Sequence, residues 1–168
     1  RKNPKIIIES LETIDGNVSL EIIGQTPNLK YLKELNNLIS SSKHAESITM
    51  TPFIKAEELI SKYSSANLFI LPSKSEGLGR VIIEAQSTAC PVLVSSNTGM
   101  VDLIIENETG YIFENNNKND LSNKIQHIMN NYESALQTGL NSKDFVKENQ
   151  SVANFEFGYK KLIDLVST

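Results

Sequence analysis

The stretch that decides the fold runs from Leu68 to Ala89 and reads LFILPSKSEGLGRVIIEAQSTA. Its apolar start, Leu68–Leu71, predicts a buried strand that ends before Pro72. A turn that contains Gly77 follows, and apolar residues at helical spacing then predict a helix over Gly79–Ala89. A strand, a tight loop and a helix in immediate succession are typical of a parallel sheet with helical crossovers.

The same alternation of strands and helices continues on both sides of this stretch. Further strands are predicted at Val18–Ile23, Ser47–Met50, Pro91–Ser95 and Gly110–Phe113. One helix is predicted to begin at Pro4, with Asn3 as its cap, and another at Thr26-Pro27. Further helices are predicted over Lys55–Ser64, Lys118–Tyr132, Glu133–Glu148 and Ser151–Val166. A polar loop is predicted at Glu114–Asp120. We therefore predict an α/β fold, a Rossmann-like doubly wound parallel sheet with C-terminal helices, in which ligands bind at the carboxyl ends of the strands.

The composition excludes several classes of protein. The 168 residues fit one domain, and 16 basic against 20 acidic side chains give a net charge of −4, which argues against a nucleic-acid partner. No apolar run approaches the ~20 residues of a membrane-spanning helix. A single cysteine and two distant histidines favour neither a disulfide framework nor a metal site. We expect a cytoplasmic protein, and the start at Arg1 rather than Met suggests an excised domain.

The loop after Leu71 carries residues suited to phosphate and sugar hydroxyls. Gly77 and Gly79 let the backbone approach a ligand, and the N–H groups that open the next helix favour an anion. Glu76 precedes this loop, and Glu84 lies about five residues into the predicted helix, some 7–8 Å along its axis. A carboxylate at that distance suits ribose hydroxyls rather than phosphate. Glycine-rich turns also occur in α/β domains that bind no nucleotide, so the spacing alone leaves both interpretations open.

Several motifs resemble those of one enzyme family. Glu76–Glu84 matches the E-x7-E motif of retaining GT-B glycosyltransferases of family four, also called group 1. The order and spacing of five further segments are similar to the same family: Lys2–Lys5, Ala66–Ser73, Ala89–Val92, Asn97–Asp102 and Glu108–Phe113. The resemblance implies one half of a GT-B fold, in which two Rossmann-like domains face a cleft. Residues 1–168 would form the C-terminal, donor-binding domain, without the N-terminal acceptor domain and without the donor domain's own first strand.

The resemblance also implies roles for particular residues. Glu84 would bind the ribose of a nucleoside-diphosphate sugar, and Glu76, the implied catalytic residue, would contact hydroxyls of the transferred sugar. The implied contacts of the diphosphate are the ammonium of Lys2 and the backbone of Gly77, Leu78, Gly79 and Arg80. The implied contact of the nucleobase is the main chain at Phe53 and Ile54. No metal ion and no cofactor is implied.

The sequence departs from the family pattern at a few positions. The arginine that the family places a few residues before the lysine has no counterpart, since Arg1 is adjacent to Lys2. Pro52 replaces a common glycine near the base loop, which leaves the base open. Thr98 replaces one glycine of a pair, and Asp102 stands where glutamate is usual. Arg80 is at a variable position, where a phosphate contact and a solvated side chain are equally compatible with the sequence.

The implied activity is transfer of a sugar from a nucleoside diphosphate to an acceptor hydroxyl, with retention of anomeric configuration. The expected acceptor is a glycan or glycolipid of a bacterial cell surface, with the enzyme in the cytoplasm or at the inner face of the membrane, which it would contact through the other domain. Alternatives are a nucleotide-sugar epimerase, a glycogen-synthase-like enzyme on the same fold, or a non-catalytic binding domain. A receiver-type module is disfavoured because no acidic cluster follows the strands. We expect the chain alone to bind donor weakly and to transfer no sugar.

Overall fold

Strands and helices alternate along residues 1–149, which are the residues that the computed structural model describes. The strands are β1 (Leu20–Ile23), β2 (Ile48–Thr51), β3 (Phe69–Leu71), β4 (Val92–Ser95) and β5 (Tyr111–Phe113). The α-helices are α1 (Lys5–Leu11), α2 (Leu29–Ser41), α3 (Ala56–Ser65), α4 (Val81–Ser87), α5 (Lys118–Asn130) and α6 (Tyr132–Asn149). Short 3-10 turns cover Ala45–Ser47 and Val101–Leu103. The predicted helix Ser151–Val166 lies outside the described residues.

All strand pairs are parallel, but the strands form two sheets rather than the one that was predicted. β1 pairs with β2, and β3, β4 and β5 pair in that order. Side chains of both sheets nevertheless enter one hydrophobic cluster, which includes Leu20, Ile48, Ile70 and Leu93. The two sheets are therefore parts of one layer that share a core without sharing hydrogen bonds.

Helices cover both faces of this layer, as the doubly wound prediction requires. In β4, Leu93 belongs to the cluster beneath α1, α2 and α5, whereas Val92 and Val94 belong to a second cluster with α3 and α4. Alternate residues of one strand point to opposite faces, so β4 is buried on both sides. Among residues 1–149, no helix has the length and apolar character that crossing a bilayer requires.

Asparagine side chains begin two of the helices. Asn28 caps α2 by accepting from the Tyr31 N–H at 3.0 Å, so α2 begins after Asn28 and not at Thr26-Pro27 as predicted. Asn117 caps α5 in the same way, by accepting from the N–H groups of Asn119 and Asp120. Residues 118–120, the end of the predicted polar loop, therefore form the first turn of α5. The predicted Asn3 cap is wrong. Asn3 has a positive φ of 52°, and Pro4 occupies the cap position of α1 without a side-chain hydrogen bond.

Candidate functional site

The candidate site is built on the loop from Pro72 to Arg80, which joins the carboxyl end of β3 to α4. α4 begins at Val81, two residues after the predicted start, because Gly79 and Arg80 still belong to the turn. Glu84 is therefore the fourth residue of α4, in its first turn, about 4.5 Å along the axis from Val81. The predicted separation of five residues and 7–8 Å from the loop is too long.

A second loop, after β4, lies directly against the first. The Gly99 N–H donates to the Glu76 carbonyl at 2.7 Å, and the Glu76 N–H donates to the Asn97 carbonyl at 3.4 Å. The contact is so close that a Cβ on Gly99 would lie 2.0 Å from the Gly77 carbonyl oxygen. Only glycine fits at position 99 without a shift of one of the two loops.

The turn between Glu76 and α4 exposes backbone donors. Gly79 has a φ of +38° and is buried against Thr98 and Ile82, whereas Gly77, Leu78 and Arg80 are exposed. Within residues 1–149, none of the N–H groups from Gly77 to Arg80 has a hydrogen-bond acceptor. The structure therefore brings together the backbone groups to which the resemblance assigns the diphosphate. Neighbouring N–H groups in a turn before a helix are suited to an anion.

Glu76 and Lys2, 74 residues apart in sequence, meet at this loop. The Lys2 ammonium forms an ion pair with Oε2 of Glu76, and Ser73 donates to the same oxygen at 3.4 Å. The Glu76 side chain is 10% exposed, and that of Lys2 is 53% exposed. The hydrogen bond from Lys2 holds the pKa of the Glu76 carboxyl below its ordinary value, against the effect of partial burial. Glu76 is therefore an ionised acceptor at neutral pH.

Glu84 is exposed on α4, and it forms no ion pair with the described residues. Its neighbour on α3 is Tyr63, which is 6% exposed and packs edge-on against Phe69 with 5.3 Å between ring centroids. Burial raises the pKa of the Tyr63 hydroxyl, and the nearby Glu84 carboxylate raises it further. Tyr63 is thus a neutral hydroxyl near Glu84, a proximity that its place on the apolar face of a predicted helix did not reveal.

Phe53 and Ile54 follow β2 at the same edge, with Phe53 73% exposed and Ile54 half-buried. A cleft of about 450 Å³ lies at the carboxyl ends of β1 and β2. Its lining consists of Gly24, Gln25, Thr26, Pro27, Leu32, Met50 and Pro52. Neither Phe53 nor Ile54, the predicted contacts of the nucleobase, lines this cleft, which reaches the segment after β2 only at Pro52. The turn after β1 was missed, although a Gly-Gln-Thr-Pro segment directly after a strand could have indicated it.

Three further residues, to which the sequence patterns assigned no role in the site, hold the loop in place. Asn97 and Asn115 donate their side-chain amides to the Lys74 carbonyl at 3.2 and 3.4 Å. The Lys74 N–H in turn donates to the Arg1 carbonyl at 2.9 Å, which places Lys2 next to Glu76. Ser73, fully buried, completes the set through its contact with Glu76. Asparagine and serine in turns after successive strands are the sequence signal for this bracing.

Solved structures with the same fold come from several organisms. Sucrose-phosphate synthase from Thermosynechococcus elongatus has a TM-score of 0.85 and 25% identity, covering 100% of this chain and 43% of that one. HepE from Anabaena, in complex with UDP and glucose, has a TM-score of 0.87 and 19% identity over 99% of this chain and 45% of that one. The C-terminal domain of LpcC, a glycosyl transferase group 1 family protein from Francisella tularensis, has a TM-score of 0.82 and 22% identity, covering 90% of this chain and 80% of that one. The fold is that of one half of the GT-B glycosyltransferases.

Sequence comparison points to the same group of proteins. An uncharacterised glycosyltransferase of Methanocaldococcus jannaschii, MJ1178, is 31% identical over 150 residues, which are 88% of this chain and 40% of that protein. The capsular polysaccharide biosynthesis glycosyltransferase CapM of Staphylococcus aureus is 32% identical over 118 residues, which are 68% of this chain and 29% of that protein. This chain thus spans less than half the length of these relatives. The family described as "Glycosyl transferases group 1" matches residues 1–145, and the chain belongs to this family.

Proposed function

We propose that this chain is the donor half of a glycosyltransferase and binds a nucleoside-diphosphate sugar at the loop from Pro72 to Arg80. The observation that carries the proposal is the convergence of Lys2, Glu76 and the unbonded N–H groups of Gly77–Arg80 at one edge of the sheet. HepE, which shares this fold, has structures with UDP and with UDP-glucose. That protein's ligands support a nucleotide sugar as the ligand of this chain.

The proposed reaction breaks the bond between the anomeric carbon and the diphosphate oxygen and forms a bond to an acceptor hydroxyl oxygen, whose proton is released. Negative charge grows on the departing diphosphate in this step. The Lys2 ammonium and the N–H groups of Gly77–Arg80 stabilise that charge, because donors fixed in advance need no reorganisation. Glu76 accepts hydrogen bonds from the sugar hydroxyls, and retention of configuration follows the family resemblance.

Lys2 links the sugar and phosphate parts of this site. Its ammonium carries three N–H donors, so it contacts a phosphate oxygen while it keeps the bond to Glu76. Glu76 then remains ionised when donor binds, since the ammonium still lowers its pKa. We propose that the pair acts as one unit, in which the position of the carboxylate depends on the lysine.

The setting that we propose is synthesis of a bacterial cell-surface glycan or glycolipid. The name of CapM, a capsular polysaccharide biosynthesis enzyme, supports a glycan product. The acceptor site belongs, in this proposal, to a second domain, because this chain spans 40% of MJ1178 and 80% of a structure described as a C-terminal domain. Contact with a membrane surface, if the acceptor is a glycolipid, belongs to that second domain as well.

The experiment that tests the proposal combines a protein variant with a modified ligand. Calorimetric titration of the 168-residue chain with UDP, GDP and ADP identifies the preferred base. Glu84→Ala should then weaken binding of that diphosphate by about 1.5–3 kcal/mol, or about 10- to 150-fold, as for hydrogen bonds to a charged group. The 2′-deoxynucleotide should bind the wild type more weakly and lose much less from Glu84→Ala, because the partner hydroxyl is gone.

Glu108→Ala is the matched control, since Glu108 is an exposed carboxylate in the turn before β5, at the opposite edge of the sheet. It should leave the affinity unchanged. Equal losses for the ribose and deoxyribose ligands in Glu84→Ala would contradict a ribose contact at this carboxylate.

A further inference from the structure

A second cleft lies at the carboxyl edge of the strands, against the loop from Pro72 to Arg80, which we call the donor loop. It has a volume of about 290 Å³, and three of its seven lining residues are lysines: Lys5, Lys74 and Lys118, with Asn3, Ile6, Glu9 and Asn116. The walls are the start of α1, the loop after β3, the turn after β5 and the start of α5. These segments are far apart in sequence, which is why no motif indicated the cleft.

The charges of the cleft do not cancel. Lys5 is paired with Glu34 and lies 3.9 Å from Glu9, so those charges are compensated. Among residues 1–149, no carboxylate oxygen lies within 4 Å of the ammonium of Lys74 or Lys118. The acids closest in sequence to Lys118 are engaged elsewhere, because Glu114 accepts from the Asn117 amide and Asp120 accepts from the Glu114 N–H.

We propose that this cleft binds a phosphate group of the acceptor, distinct from the diphosphate of the donor. A phosphate monoester carries about two negative charges at neutral pH, which matches the two uncompensated ammonium groups, whereas a carboxylate would leave one of them unmatched. The side-chain amides of Asn3 and Asn116 add donors for its remaining oxygens. The identification of the phosphate as the acceptor's rests on the proposed function.

The location agrees with this assignment. Lys74 precedes Glu76 by two residues, so their Cα atoms lie no more than about 7 Å apart. No residue of Gly77–Arg80 or α4, where the donor's diphosphate and ribose are proposed to bind, lines the cleft. A phosphate in the cleft would therefore lie close to Glu76, the proposed contact of the transferred sugar, and apart from the proposed contacts of the donor's diphosphate.

The test uses inorganic phosphate as the probe and the ¹⁵N-labelled chain saturated with the diphosphate that it binds best. Phosphate should shift the amide signals of Asn3, Asn116 and Lys118 in a saturable manner, and acetate at equal ionic strength should not. The variant with Lys74→Gln and Lys118→Gln should bind phosphate about tenfold more weakly or worse, having lost two charge-assisted contacts. Its amide signals outside the cleft should otherwise match those of the wild type, which shows that it is folded.

The matched control carries Lys30→Gln and Lys33→Gln on α2, which remove two exposed lysines outside the cleft. It should bind phosphate as the wild type does. Phosphate shifts that persist in the Lys74/Lys118 variant, or that disappear once the diphosphate is saturating, would overturn the proposal. If phosphate saturates the cleft but no nucleoside diphosphate binds, the phosphate site stands, while the proposed function and the assignment to an acceptor fall.

Discussion

At the scale of single residues, the ion pair between Lys2 and Glu76 is the feature on which the site depends. The Glu76 side chain is 10% exposed, and its carboxylate accepts hydrogen bonds from both Lys2 and Ser73. The hydrogen bond from Lys2 is the largest of the effects that lower the Glu76 pKa, and it outweighs the effect of partial burial. The pair therefore favours the ionised form of the group that we propose to hold the sugar.

Removing the ammonium should be visible in the titration of Glu76. The pKa of Glu76 is lowered in the folded chain, so the pair adds stability at neutral pH that is lost as the pH falls through this lowered pKa. Lys2→Met should raise the Glu76 pKa toward or above its ordinary value, with Arg1 retaining a small lowering effect. The ¹³C carboxyl shift of Glu76, followed against pH, measures this directly. Lys30→Met should leave it unchanged, and an unaltered Glu76 pKa in Lys2→Met would show that the pair does not form in solution.

The sequence predicted which residues form the candidate site, but not how they contact one another. Glu76, Glu84 and the two loop glycines follow from a motif in one short segment, because neighbours in sequence remain neighbours in space. The contact of Lys2 with Glu76 and the position of Tyr63 beside Glu84 depend on how separate elements pack. No local pattern contains that information, so these contacts became visible only in the structure.

At the scale of elements, the loop after β4 supports the donor loop through two backbone hydrogen bonds and the side chain of Asn97. Gly99→Ala places a methyl group 2.0 Å from the Gly77 carbonyl oxygen and 2.9 Å from that of Glu76, so one loop must move. We expect a loss of about 1–3 kcal/mol in the free energy of unfolding, as for other overpacked positions, together with weaker diphosphate binding. Urea unfolding and calorimetry measure the two effects.

Gly77→Ala is the paired variant, because a Cβ at Gly77 meets no atom within 4 Å. It should change the free energy of unfolding by no more than about 0.5 kcal/mol, as at most surface positions. If both variants unfold at the same urea concentration as the wild type, the two loops are not in contact as described.

The boundaries of elements show which signals in the sequence were decisive. The five strands were predicted close to their observed positions because short β-branched runs end at turn residues. The start of α2 was misplaced because Thr26-Pro27 and Asn28 both fit a helix start, and the hydrogen bond from Tyr31 to Asn28 decides between them. Competing caps of similar strength cannot be ranked from the sequence alone.

At the scale of the whole molecule, the two sheets meet the same core but share no hydrogen bonds. The alternation of strands and helices predicted parallel pairing and helices on two faces, and both predictions are confirmed. The division between β1 and β3 was not predicted, since strand order depends on long-range pairing. The carboxyl edge of both sheets carries the donor loop, the cleft near Phe53 and the lysine cleft.

The measurement that tests the central claim most directly is a ¹H–¹⁵N NMR titration of the 168-residue chain with UDP, GDP and ADP. The account predicts that one of the three shifts the amide signals of Gly77, Leu78, Gly79 and Arg80 in a saturable manner, since these N–H groups are the proposed contacts of the diphosphate. The amide of Glu108, at the opposite edge, should not move. Saturable shifts confined to other parts of the molecule, or none with any of the three, would contradict a donor site at this loop.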